Sequence, residues 1–233
     1  MRILSVDTSG PFAGAALMED GIVTHEIAAC HGLTHSVTSM PMTEDVLSAA
    51  GLMPSDIDLF AAVTGPGSFT GVRIGVCAVK GLAHACNKKV VAVDSLEALA
   101  MNGLYFDGLV CPILDARRSQ VYCAAFDCSS GMPVRVLEDD ALPLTEFLAK
   151  LPADKKCLFT GDGLKVHFPK AKEILGDRAV CAVPSDSYVR PASVCVLADK
   201  YKDSAVEPYE LKPCYLRAPQ AERERNRRLS EEK

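Results

Sequence analysis

Apolar positions along this chain change their spacing several times, and each change marks an element. Ile3-Leu4-Ser5-Val6 is a short apolar run halted by the turn cluster Asp7-Thr8-Ser9-Gly10-Pro11, which predicts a buried strand. Residues 12–18 predict a second strand, Glu19-Asp20-Gly21 a hairpin turn, and residues 22–29 a third strand. Helical spacing begins at residue 35 and continues through Val37, Met40, Leu47 and Ala50, with Pro41 expected to kink it and Gly51 to stop it. A strand over 59–63 feeds a glycine- and proline-rich turn, Thr64-Gly-Pro-Gly-Ser-Phe-Thr-Gly71. From there a helix over 72–86 is predicted that is apolar on nearly every side. Its strongly polar residues Arg73, Lys80 and His84 fall on one narrow stripe. Small residues (Gly71, Gly75, Ala78, Gly81, Ala85) let another backbone approach. Such a helix must be covered twice, once by its own sheet and once by a partner.

After a strand over 90–93 and a helix opened by the capping-box-like Asp94-Ser-Leu-Glu97, the pattern starts again. A strand over 109–114 ends at Asp115-Ala-Arg117, and residues 121–126 form its hairpin mate. Ile3–Asp7 followed by 13–17 has the same form: a strand ending on Asp and returning as an alanine-rich strand. This weak repeat divides the chain into related α/β halves, residues 1–103 and 104–218. The second half continues with a helix over 144–151, a strand over 157–160, the turn Gly161-Asp-Gly163 and a last helix over 191–201. Residues 219–233 form a charged tail, with Arg223, Arg225, Arg227 and Arg228 set among glutamates.

With 233 residues, 48% hydrophobic and 24% charged, the chain is long enough for a substantial core and too apolar for disorder. A formal charge of −5 argues against an independent nucleic-acid binder. Neither a signal peptide nor a membrane span is legible, so a cytoplasmic protein is expected. The 10 cysteines lack Cys-x-x-Cys spacing. They are read as reduced, small core residues, Cys77, Cys111, Cys123 and Cys195 among them. His31-x-x-x-His35 is a weak candidate metal pair, without further ligands nearby.

Catalytic chemistry is hard to find. A strand ending in Asp can serve a phosphate-binding turn, which makes Asp7, Thr8 and Ser9 candidates, with Gly161 and Gly163 as a clamp in the other half. Kinase-type turns want Asp-x-Gly, however, and Ser9 occupies the glycine's place; a capped strand end fits these residues as well. The turn at 64–71 matches neither the P-loop nor the dinucleotide spacing, and Ser68 lacks both Gly-x-Ser-x-Gly and a reachable histidine.

The segment Thr64-Gly-Pro-Gly-Ser-Phe-Thr-Gly-Val-Arg-Ile-Gly75 resembles the signature of the TsaB (YeaZ) family. So do Asp7-Thr8-Ser9, His35-Ser36, Val93-Asp-Ser-Leu-Glu97, Asp115-Ala-Arg117 and Pro213-Cys-Tyr-Leu-Arg217, in the family's order. The resemblance implies the actin/sugar-kinase/chaperone-ATPase (ribonuclease H-like) fold with two duplicated lobes. It also implies a part in making threonylcarbamoyladenosine at position 37 of tRNA (t6A37). The transferase there is the related TsaD, which holds its metal with His-x-x-x-His where this chain has Ser95-Leu-Glu-Ala-Leu99. The resemblance therefore implies a non-catalytic partner with no cofactor of its own, ATP and metal being used by partner subunits. It would bind and activate TsaD, help dock the ATPase TsaE, form a homodimer, and meet tRNA only through the complex. The helices at 36–50 and 72–86 would form the interface. Val37, Met40, Val46, Leu47, Val72, Val76, Val79 and Ala83 are the expected contributors. A metal- or ATP-dependent enzyme of the same fold is the alternative.

Overall fold

The computed structural model describes residues 1–30, 32 and 34–217, so His31 and the tail at 219–233 lie outside the described residues. Two five-stranded sheets are built on one plan. In the first, β1 (Arg2–Asp7), β2 (Ala13–Glu19) and β3 (Ile22–Ala29) form an antiparallel meander. β4 (Leu59–Gly65) and β5 (Lys89–Asp94) then extend it in parallel from β1, in the order β3-β2-β1-β4-β5. In the second, β6 (Leu109–Asp115), β7 (Gln120–Asp127) and β8 (Val134–Pro143) are antiparallel. β9 (Cys157–Thr160) and β10 (Ala179–Cys181) lie parallel on the other side of β6, in the order β10-β9-β6-β7-β8. The two orders are equivalent strand for strand, so the repeat read from Asp7 and Asp115 is a duplication of lobes, and the fold is the actin-like one.

Helix α1 (His35–Ala49) and helix α2 (Phe69–Ala85) cover one face of the first sheet. Their inward residues join Leu4, Val6 and Phe60 in one apolar cluster. α1 ends where Gly51 takes the left-handed conformation, φ 67°, that glycine adopts without strain. α2 begins three residues earlier than its apolar pattern suggests. Ser68 caps it by accepting the Gly71 N–H at 3.2 Å, which draws Phe69 and Thr70 into the helix. α3 (Ser95–Ala100) is capped by Asp94, whose carboxylate accepts the Glu97 N–H at 2.8 Å. The reciprocal half of the capping box is missing, because Glu97 instead receives Lys200 and Tyr201 at 3.0 and 2.6 Å.

The second lobe carries α4 (Leu144–Lys150) and α5 (Leu164–Leu175). Helix α6 (Pro191–Lys200), expected to finish that lobe, packs on the first sheet instead: Ser5 Oγ donates to Pro191 O at 2.8 Å, and Cys195 Sγ lies 3.4 Å from Ala16 O. A single apolar cluster therefore joins Ile3 and Ala61 of one sheet to Val110 and Phe126 of the other. Arg135 of β8 also spans the junction, 3.2 Å from Asp94 and 2.9 Å from Asp139. Burial, then the nearby Asp94, pushes Asp139 up to about 7. Five cysteines (Cys111, Cys123, Cys128, Cys157, Cys195) are buried, but Cys77, read as core, is exposed on α2. Among the described residues no helix is long and apolar enough to cross a membrane.

Candidate functional site

Helix α2 carries three distinct faces. The first is core: Val72, Val76, Val79 and Ala83 are at most 2% exposed, and Val46 and Leu47 of α1 are similarly enclosed. These six residues, expected to meet a partner, already pack on their own sheet and present no surface. The reason lies in the period: they occupy the inner arc of each helix, where Phe60, Ala62 and Val90 fill the spaces between them.

The second face is held by the chain's own C-terminal segment, which runs back across the first lobe. Val206 bridges Val90 of edge strand β5, and Leu211 is buried in the cluster beneath α2. Lys80 Nζ donates to the carbonyls of Tyr209 and Leu211 at 3.3 and 3.1 Å. Arg73 Nε donates to Tyr215 Oη at 2.7 Å and lies 3.9 Å over the Phe69 ring, which stacks on Tyr215 at 4.7 Å. Two of the three polar residues noted on α2 thus fasten a strap over 205–217. The polar stripe was visible in the sequence, but its partner lies some 130 residues away and was not.

The third face is bare. Thr70, Cys77, Gly81, His84 and Ala85 are exposed and Ile74 and Ala78 half-buried, a stripe of mostly small, uncharged residues at helical spacing. Beside it α1 presents Val37, 60% exposed, and Met40, 40% exposed. Of the eight expected interface residues these two face outward. A Cβ built at Gly81 meets nothing within 4 Å, so the protein's own packing does not require glycine there.

The glycines at the start of α2 have a different cause. The β1–β2 turn sits directly on them: a Cβ at Gly71 would collide with Thr8 O, one at Gly67 would lie 2.5 Å from Ser9 O, and one at Gly75 2.6 Å from Thr8 Oγ1. Ser68 N donates to Ser9 O at 2.7 Å, and Thr8 Oγ1 to Gly71 O at 2.7 Å. Asp7, Thr8 and Ser9 are consequently 1–2% exposed. Asp7 accepts the Ser9 N–H at 2.8 Å, and burial raises its pKa to about 6. In the other lobe Gly161 and Gly163 seat against Ile113 O, to which Gly163 N donates at 3.1 Å. The candidate anion-binding residues thus use these groups to lock hairpins to glycine turns. His35 Nε2 lies 2.8 Å from Gly10 O.

Between the lobes lies a cleft of about 650 Å³, lined by Ser9, Gly67, Ser68 and Phe69 from one lobe and Asp115, Tyr122 and Asp162 from the other. The strap closes one side with Cys214, Tyr215 and Arg217, and Arg217 donates to Ala116 O at 3.2 Å. Burial raises the pKa of Asp162, against the opposing hydrogen bond its carboxylate accepts from the Asp115 N–H at 3.1 Å. Ser95 and Leu99 are fully buried, Ser95 Oγ donating to Pro66 O.

Residues 22–216 match the family model of TsaD, tRNA N6-adenosine threonylcarbamoyltransferase. The Bacillus subtilis tRNA threonylcarbamoyladenosine biosynthesis protein TsaB is 36% identical over 95% of this chain and 96% of its own. The crystallised YeaZ from Pseudomonas aeruginosa superposes with a TM-score of 0.81 at 27% identity, covering 92% of this chain and 99% of its own. The component A of (R)-2-hydroxyglutaryl-CoA dehydratase from Acidaminococcus fermentans shares the fold alone, with a TM-score of 0.51 at 13% identity over 87% and 99% of the two chains. With a near full-length match at 36% identity and the same fold as YeaZ, this chain belongs to the TsaB (YeaZ) family of tRNA threonylcarbamoyladenosine biosynthesis.

Proposed function

We propose that this chain is a non-catalytic, cytoplasmic subunit of the t6A37 transferase machinery. It binds and activates TsaD through the bare face of α1 and α2, helps dock TsaE, and meets tRNA only within that complex. Gly81 carries the reading. Glycine inside an exposed helix costs about 1 kcal/mol relative to alanine, and the protein's own packing leaves the space above it empty. A second helix approaching Cys77, Gly81 and Ala85 closely, with Val37 and Met40 at its flank, offsets that cost through burial. A second copy of this chain fits the same face, which gives the homodimer.

The interior supports an accessory rather than a catalytic role. Ser95 and Leu99, where TsaD is expected to carry its metal-binding histidines, are core residues with no ligand chemistry. The Asp7 carboxylate is spent on its own turn. Metal and ATP would then be supplied by the partner subunits. Reconstituted tRNA modification, with and without this chain, tests the proposal. Loss of t6A on omission is expected. Undiminished modification without the chain would contradict it, and metal- or ATP-dependent turnover by the isolated chain would favour an enzyme.

A further inference from the structure

The turn joining β6 to β7 is built against the preferences of its residues. Arg117, Arg118 and Ser119 stand in succession at φ 63°, 55° and 60°, a left-handed conformation that residues other than glycine adopt singly and at a cost. The Asp115 carboxylate fastens the turn by accepting the Arg117 N–H at 3.0 Å, and Arg217 fastens it through Ala116 O.

The turn overhangs a cavity of about 560 Å³, walled also by the start of α4 (Leu144, Thr145) and by α5 (Val166, His167, Lys170). The cavity shares only Asp115 and Arg117 with the interlobe cleft. Its lining brings together Arg117, Arg118 and Lys170, in a chain whose formal charge is −5. Asp115 is the one carboxylate among them, and it is already shared by the Arg117 guanidinium at 3.5 Å and His167 Nε2 at 3.4 Å. Lys170 pairs with Glu173 at 2.7 Å, but both side chains are more than half exposed, and such pairs exchange partners at little cost. The Arg117 side chain is 87% exposed. Ser119 and Thr145 add hydroxyl groups, and Leu144 and Val166 an apolar wall.

We propose that this cavity binds a phosphate ester. The guanidinium of Arg117 takes phosphate oxygens in charge-assisted pairs, Lys170 adds positive charge, and the apolar wall carries the organic part. Mononucleotides and RNA backbone share this chemistry. The test uses the isotope-labelled full chain at constant ionic strength, titrated in turn with pyrophosphate, AMP and a short single-stranded RNA while backbone amide shifts are followed. Saturable shifts confined to residues 117–120 and 166–170 are expected. Lys170→Glu and Arg117→Ala should each weaken binding about tenfold or more, with unchanged circular dichroism. Saturation by AMP but not RNA identifies a small ligand, and tighter binding of RNA identifies a backbone; either outcome supports the site. Three outcomes would overturn it: shifts no larger than those from added chloride, shifts centred instead on Ser9, Gly67 and Ser68 in the cleft, or binding indifferent to both substitutions.

Discussion

At Gly71 and Gly75 an added methyl group would run into Thr8, whereas at Gly81 it would meet nothing within 4 Å. The sequence shows all three glycines but cannot say which serve the protein's own packing, because Thr8 lies more than sixty positions away. The same distance concealed the fate of Asp7, whose position at a strand end suits an anion site as well as a cap. Burial settles the carboxyl's behaviour. Its folded pKa, about 6, lies above the ordinary 3.8, so the native state holds the proton more tightly than the unfolded chain. Stability from this group is complete below about pH 4 and is lost as pH rises through 6. Asp7→Asn keeps an acceptor for the Ser9 N–H and removes the buried charge. Chemical denaturation should therefore show the variant more stable by about 2–3 kcal/mol at pH 7.5, with the gap closing towards pH 4. An equal gap at both pH values would show that Asp7 is not buried as an acid.

Among the elements, the hairpins, α1, α2 and α4 were legible because their apolar periods are regular and bounded by Gly, Pro or a capping residue. β8 was not: Glu138, Asp139 and Asp140 break its alternation, and their charges are met by partners outside that pattern, Arg135 for Glu138 and Asp139 and Lys150 for Asp140. α5 escaped because Pro169 and four lysine or histidine side chains blur its pattern. The strap had no period at all. It is held by carbonyls given to Lys80 and by one tyrosine against Phe69 and Arg73, contacts that leave no local signature. Tyr215→Ala should cost about 1 kcal/mol of stability. It should also speed hydrogen exchange at the Cys214 N–H, which donates to Thr64 O at 2.8 Å. Unchanged exchange at that amide would mean the strap does not depend on the aromatic stack.

For the whole molecule, duplication was legible from two Asp-terminated hairpins, and the identical strand orders bear it out. The crossing of α6 onto the first sheet was not, since nothing local distinguishes a helix that closes its own lobe from one that packs on the other. That crossing welds the lobes through a shared core and leaves α1 and α2 on the outside of the first lobe, with one face uncovered. Val72 and Val76 point inward, so the proposed docking face uses the same two helices through Cys77, Ala78 and Gly81 instead.

Co-elution with TsaD on size exclusion tests this most directly, comparing wild type with Gly81→Glu. Glutamate replaces glycine in a helix where space is open, so thermal stability should hold or rise slightly while the complex is lost. Val76→Asp, by contrast, should unfold the chain itself, because it places a charge in the core. A folded Gly81→Glu protein that still co-elutes with TsaD as wild type does would contradict the docking face.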